Sequence, residues 1–287
     1  MPSEFQRLRR DFGWAIEDHA EQESGVWVLP QQRKESYPDS GHASLAEAED
    51  GSFWFRHRNR VVIEALKRLG PPAALWDVGG GNGYVSLGLH RAGVEAVTVE
   101  PGPVGSKNAA ARGLRSVVQG RFDDLSLPDA SLPAIGAFDV IEHIEDPEPL
   151  LAEFARCLRP EGLLLVTVPA LNALWSGYDE VAGHFRRYTV RDLDREIERA
   201  GLRRVARSYF MLPLVPPVYV LRARPHRTGS EPDMEELLRR TVEQQRSERR
   251  GLATRAMELA LTAERWWMRR GHLPTGTSII GAYQRPS

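Results

Sequence analysis

The sequence predicts an α/β fold built on a mainly parallel sheet, and three observations carry that prediction. Apolar runs of strand length alternate with segments of helical spacing from Ser52 to Gly201. A glycine cluster, Gly79-Gly80-Gly81-Asn82-Gly83, joins the first of these runs to a helix. Leu163-Leu164-Leu165-Val166-Thr167-Val168 is apolar without alternation, as a central strand covered on both faces must be.

The first 51 residues are polar, with scattered Phe12, Trp14, Trp27 and Tyr37 and no sustained period. Such a stretch has no core of its own; its aromatics are expected to dock on the main domain as a lid or strap, a frayed tail being the alternative. Ser52 then opens a helix through Val61, Val62, Ala65, Leu66 and Leu69, closed by Gly70-Pro71-Pro72. A first strand ends at Val78, and the helix after the glycine turn spans 84–92 and stops at Gly93. A second strand over 95–99 leads into Glu100-Pro101-Gly102, a helix over 104–112, a third strand over 116–119 and a loop carrying Arg121-Phe122-Asp123-Asp124. Residues 132–138 form a fourth strand and 147–158 a helix, stopped by Pro160-Glu161-Gly162 before the central strand.

Beyond Pro169 come a loop with Trp175, Tyr178, His184 and Tyr188, a helix over 189–200 and a strand over 202–211. Thr189-x-x-Asp192 resembles a capping box with Asp in place of Glu. Residues 213–225 are proline-rich and apolar, 233–270 have helical spacing interrupted at Gly251, and 277–283 make a last strand. The division expected is therefore a lid or strap over 1–51, a core formed by 52–212 with 275–287, and a mainly helical insertion over 213–274.

A chain of 287 residues with 41% apolar residues has material for one large core, and its net charge of −1 exerts no global pull on a polyanion. A single cysteine, Cys157, excludes an internal disulfide framework and a multi-cysteine zinc site. The charged start, Met1 to Arg10, is not that of a secretory signal, and there is no long uninterrupted apolar run; the expected location is cytoplasmic.

The spacing Asp77-x-Gly79-x-Gly81-x-Gly83 predicts a nucleotide-binding turn, where side chains would hold the backbone off the ligand and positive φ is needed. It is not the dinucleotide fingerprint, because Tyr84 stands where the third glycine belongs. Taken with Val97-Thr98-Val99-Glu100, Phe138-Asp139-Val140-Ile141-Glu142-His143-Ile144, Leu158-Arg159-Pro160-Glu161-Gly162-Leu163 and Val168-Pro169, it resembles the class I S-adenosylmethionine-dependent methyltransferases. The resemblance implies a Rossmann-like seven-stranded sheet of order 3-2-1-4-5-7-6, its last strand antiparallel. It also implies S-adenosyl-L-methionine as cofactor, S-adenosyl-L-homocysteine as product and a small-molecule acceptor, as in the similar ubiquinone-type O-methyltransferases. O-methylation is favoured, N- or C-methylation or a noncatalytic cofactor-binding module being the alternatives. No nucleic-acid partner is implied: the Asn/Asp-Pro-Pro-aromatic motif is absent after the fourth strand, and Cys157 lacks the Pro-Cys context.

By position, the resemblance implies cofactor contacts from Asp77, Gly79, Gly80 and Gly81, from Glu100 to both ribose hydroxyls and from Phe138. Arg58, within His57-Arg58-Asn59, is placed to grip the cofactor carboxylate, in competition with Arg56 and Arg60. Many relatives have Gly-Asp-Ala after the third strand where this chain has Gly120-Arg121-Phe122; Phe122 could cover the adenine and Asp123 receive its amine. His143 leads as general base, with a structural, helix-capping histidine as its alternative; His184 and Tyr188 are further candidates in a loop overhanging the acceptor. Asp139, Glu142 and His143 resemble the Glu-x-x-Glu-His set that holds a divalent ion in quinone enzymes, but the first acid differs and no metal is expected. The insertion is expected to cover the acceptor or form a homodimer contact. Its Trp266-Trp267 pair and proline segment are expected to pack within the protein, with a membrane contact as the alternative.

Overall fold

The structure, a computed structural model, describes Trp14, residues 21–23, 25–30, Glu49, 51–233, 236–237 and 252–287. Phe12, Tyr37, Leu238 and Val242, which the sequence placed in the strap or the insertion, lie outside the described residues. Two short strands, β1 (Glu21–Glu23) and β2 (Val26–Val28), form an antiparallel hairpin, and β2 then runs parallel to β5 (Val117–Gln119). Trp14 sits edge-on against Trp76 at a centroid distance of 5.2 Å and gives its indole N–H to the Leu125 carbonyl at 2.8 Å. This hairpin was not legible: three-residue strands at an edge are too short to show a period.

Helix α1 (Phe53–Leu69) starts where Ser52 Oγ accepts from the Trp54 amide at 3.2 Å, and it stops at Gly70, whose φ is 89°. It feeds β3 (Ala74–Val78), then α2 (Tyr84–Arg91), β4 (Glu95–Glu100), α3 (Pro103–Ala111) and β5. β6 (Leu132–Phe138), α4 (Glu148–Cys157) and β7 (Leu158–Pro169) follow; β7 begins before the turn at Gly162, with a register shift against β6 between Leu132 and Ala134. After α5 (Gly177–Ala182) and α6 (Val190–Arg199) come β8 (Arg203–Phe210), the helices α7 (Val215–Val218), α8 (Arg224–Thr228) and α9 (Leu252–Met268), and β9 (Ser278–Gln284).

The sheet runs β1-β2-β5-β4-β3-β6-β7-β9-β8, with β9 antiparallel to both its neighbours. Counting from β3, its last seven positions read 3-2-1-4-5-7-6, the implied order, and the hairpin widens the sheet to nine strands. Every residue of β3 and β6 is buried, because α1, α2 and α9 cover one face while α4 and α6 cover the other.

The insertion, expected to be mainly helical, begins with helix despite its prolines. Residues 215–228 are continuously helical, with a π turn over Tyr219–Ala223 ahead of Pro225, which has no N–H to return to the Leu221 carbonyl. At α6, Thr189 Oγ1 accepts from the Asp192 amide at 3.2 Å but Asp192 reaches the Thr189 hydroxyl rather than its amide, so only half a capping box forms. The complete box is at α5, between Ser176 and Asp179. Trp266 and Trp267, expected to pack, are 54% and 59% exposed.

Candidate active site

The glycine turn sits at the C-terminal end of β3, at the crevice where chain order reverses between β3 and β6. Gly79, Gly81 and Gly83 have φ of 65°, 54° and 75°, so three of its residues adopt backbone that other side chains resist. Gly79 and Gly80 both give their amides to the Val99 carbonyl, and a Cβ on Gly80 would lie 2.6 Å from Thr98 Cγ2. The glycines thus let the turn fold down onto β4, a reason additional to ligand approach.

That contact brings Glu100 under the turn. Its Oε2 accepts from the Gly81 amide at 2.8 Å and its Oε1 from the Gly102 amide at 2.7 Å, with the residue 4% exposed. A carboxylate offers about four lone-pair sites, so this group has the chemistry both to hold the turn and to receive hydroxyl donors. Asn82 on the turn accepts from Asn108 Nδ2 at 2.9 Å and donates to Glu49 at 3.3 Å, and Glu49 in turn pairs with Arg112 at 2.7 Å.

Asp77 lies below this surface. Its Oδ2 accepts from Ser86 Oγ at 2.6 Å, and Ser86 accepts from Thr98 Oγ1 at 2.9 Å, tying β3, α2 and β4 together. Burial pushes its pKa up to about 6, against the Ser86 hydrogen bond.

Arg58 is brought from α1 to the mouth of β6. Its guanidinium pairs with Asp139 and lies 4.9 Å from the Trp54 ring centroid and 5.3 Å from that of Phe55. Its buried Nε has no hydrogen-bond partner. The competing arginines are elsewhere: Arg56 goes to Glu258 and the Gly51 carbonyl, and Arg60 is exposed. Asp139 holds the left-handed conformation, φ 60°, and also accepts from Thr167 Oγ1 at 3.3 Å.

Three predicted contacts are placed otherwise. Phe122 is 3% exposed with its ring against Phe154 at 5.0 Å, within the core cluster. Asp123 is spent on a bidentate pair with Arg121, both bonds 3.0 Å. Phe138 is 5% exposed and folds over Gly136, where a Cβ would meet its Cε2 at 2.4 Å.

On the acceptor side, the rings of His143 and His184 meet edge to face at 4.8 Å. His184 Nδ1 is 2.9 Å from Asp179 Oδ1, which also receives Arg187 Nε at 2.8 Å. Asp179 lies below the usual carboxylate range because, despite burial, His184 and Arg187 both favour its ionised form. A carboxylate only accepts, so Nδ1 carries the proton and the neutral ring's Nε2 is left basic. Tyr188 is 2% exposed in the core beside Leu193 and Ile197, and burial raises its phenol well above the usual range; it is poorly suited to act as a base.

Glu142 is fully buried, neither of its oxygens has a hydrogen-bond partner, and burial, followed by Asp139, raises its pKa well above the ordinary value. Glu142, His143 and His184 each offer a ligand atom within 4.8 Å of the others, a set able to take a divalent ion. The sequence grouped Asp139 with Glu142 and His143 and expected no metal; Asp139 is turned to Arg58, and it is His184 that completes the group. Asp179 as the orienting acid was missed, although Ser176-x-x-Asp179 is itself a capping-box signal.

Burial, and then His184, push His143 down to about 4, below its unfolded value near 6.5. The unfolded chain therefore binds more protons between those values, and this residue's contribution to stability rises with pH from about 4 to 6.5. Asp77 acts oppositely: its raised pKa makes its contribution fall as pH rises from about 3.8 to 6. In H143Q the stability difference from the parent should therefore widen by about 2 kcal/mol between pH 4 and 6.5. Urea unfolding at several pH values checks it; a constant difference contradicts the buried, neutral imidazole.

A sequence profile described as a methyltransferase domain matches residues 54–206. The chain is 28% identical over 167 residues to a probable S-adenosylmethionine-dependent methyltransferase of Mycolicibacterium smegmatis, covering 57% of this chain and 65% of that protein. It is 32% identical over 112 residues to a ubiquinone biosynthesis O-methyltransferase of Xanthomonas oryzae pv. oryzae, covering 36% of this chain and 47% of that one. These matches thus span from about half to two thirds of the relatives' length. Among solved structures, the putative methyltransferase in complex with the Haloferax volcanii Trm112 methyltransferase activator has a similar fold. Its TM-score is 0.57 at 18% identity, over 87% of this chain and 97% of that one.

Proposed function

The chain belongs to the methyltransferase-domain family, and from that premise we propose that it moves a methyl group from S-adenosyl-L-methionine to the oxygen of a small-molecule acceptor. The observation that carries the reading is the pairing of two complementary groups across the β3 crevice. Glu100 presents a buried carboxylate, the acceptor type a ribose needs, beside the turn, and Arg58 has an orphaned buried N–H for a carboxylate. Gly79, Gly80 and Gly81 form the surface between them. Phe122, Asp123 and Phe138 are not carried into the proposal.

When bound, the cofactor supplies a methyl group on a sulfonium, releasing it with the C–S electron pair returning to sulfur. The protein then has only to align a nucleophile and remove its proton. His184 does so through Nε2, with Asp179 fixing the tautomer and Arg187 fixing Asp179. His143 packs on the His184 ring and, neutral above about pH 4, adds no competing positive charge. A neutral imidazole suits a hydroxyl acceptor, and the similarity to an O-methyltransferase points the same way. In this reading Glu49, bonded to Asn82 of the turn, closes the cofactor side, and the segment ending at Glu231, which binds the Gly177 amide of α5, covers the acceptor side.

The test is isotopically labelled methyl donor incubated with the protein and a metabolite extract, with products read by mass spectrometry. A labelled product is expected. Tight binding of S-adenosylhomocysteine with no labelled product would leave a noncatalytic module instead. With the acceptor in hand, H184Q should lower turnover by about a hundredfold while homocysteine-product affinity stays near the parent's. Unchanged turnover removes His184 as the base.

A further inference from the structure

Among the described residues nothing covers the outer face of α9. Its inner face is well used: Leu261 and Glu264 are buried, and Met257 and Met268 pack toward Leu66 and Phe210. On the opposite side Leu259, Trp266 and Trp267 are 73%, 54% and 59% exposed, and Ala256, Ala260 and Ala263 fill the spaces between them. Leu259, Ala263, Trp266 and Arg270 recur at the spacing of one helical stripe. A contiguous apolar face with two neighbouring tryptophans has a high cost in water unless something covers it.

The charges on this helix are sorted. Glu258 is paired with Arg56, and Glu264 takes His57 together with the Met211 and Leu212 amides. Both acids are thus bound to the body of the protein, as is Arg269 just beyond the helix by Glu64 at 2.9 Å, while Arg255 and Arg270 are exposed, Arg270 lying 3.7 Å over the Trp266 ring. Nearby, the stretch from Met211 to Ser230 contains three arginines and no acid, and it exposes Tyr219, Val220 and Leu221. Among the described residues no helix is long and apolar enough to cross a membrane.

We propose that α9 is an interfacial helix which rests its Leu259-Trp266-Trp267 face on an anionic bilayer, its arginines meeting headgroup phosphates. Tryptophan suits that depth because its ring is apolar and its N–H is not. Charge selects this occupant over a second copy of the chain. A two-fold contact through this face would set Arg255 and Arg270 against their own counterparts with no acid on the stripe to offset them, whereas phosphates complement them.

The experiment is sedimentation of the full chain with vesicles of phosphatidylglycerol and phosphatidylcholine, against phosphatidylcholine alone, at about 0.1 M salt. Binding is expected only to the anionic vesicles, reduced at least about fivefold in W266A/W267A and in R255E/R270E. Since these side chains are exposed, the variants should melt with the parent and bind S-adenosylhomocysteine equally, which separates this result from the site itself. Protein that stays in the supernatant with anionic vesicles, or variants that pellet like the parent, overturns the proposal. So does a concentration-dependent dimer in light scattering that W266A/W267A dissolves, which would give the face to a second copy.

Discussion

Glu100→Ala is expected to weaken S-adenosylhomocysteine binding by about a thousandfold, the largest loss from any single change at the site. The parent carboxylate bridges the Gly81 and Gly102 amides at 2.8 and 2.7 Å, so its removal both frees two buried donors and withdraws the acceptor offered to the ribose. Two charge-assisted hydrogen bonds of about 2 kcal/mol each account for that factor. The turn should loosen as well, lowering Tm by several degrees. Glu100→Gln separates the two roles, because an amide retains one acceptor oxygen for an N–H but cannot accept at both ends. Calorimetry decides: a Tm that falls while product affinity stays within about threefold would make Glu100 a clamp for the turn and nothing more.

What the sequence revealed of the fold, and what it did not, follows from how local each signal is. Helix α1 was legible because its cap at Ser52 and its stop at Gly70-Pro71-Pro72 are adjacent in sequence to what they terminate. β6 was read with its observed bounds because its burial on both faces leaves an uninterrupted apolar run. The β1–β2 hairpin is too short to repeat and so is not legible, whereas residues 215–228 lie in the segment expected to be mainly helical, only their unbroken course through prolines being hidden.

At the site the same division holds. Gly79, Gly81 and Gly83 form one turn from residues close in sequence, and Glu100 is marked by the strand end it occupies, so short motifs pick out both. The Asp179–His184 dyad joins neighbours too, yet it was hidden because the intervening α5 had been read as loop. Phe122 and Asp123 show the converse case. Their types suit an adenine, yet Phe122 packs on Phe154, a partner far along the chain that no local motif could reveal, while Asp123 pairs with Arg121 inside the same segment. Trp266 and Trp267 were assigned to packing on average behaviour, which a helix with only one covered face does not follow.

Arg58→Ala should abolish the distinction between S-adenosylhomocysteine and its analogue truncated at the sulfur, which carries no amino-acid portion. In the parent, the orphaned Nε and the cation held between Trp54 and Phe55 are available to a carboxylate, and the full ligand should bind about a hundredfold more tightly than the truncated one. In the variant both should bind at the weaker level. Stability should fall by about 3 kcal/mol, because Asp139 and the neighbouring buried Glu142 lose the cation that offsets them. Arg58→Lys tests the geometry within that loss: an ammonium restores charge beside Asp139 but has no planar fork, so stability should recover more fully than the ligand preference. If Arg58→Ala keeps the hundredfold preference, the carboxylate is gripped elsewhere and Arg58 serves only to neutralise the acids at the exit of β6.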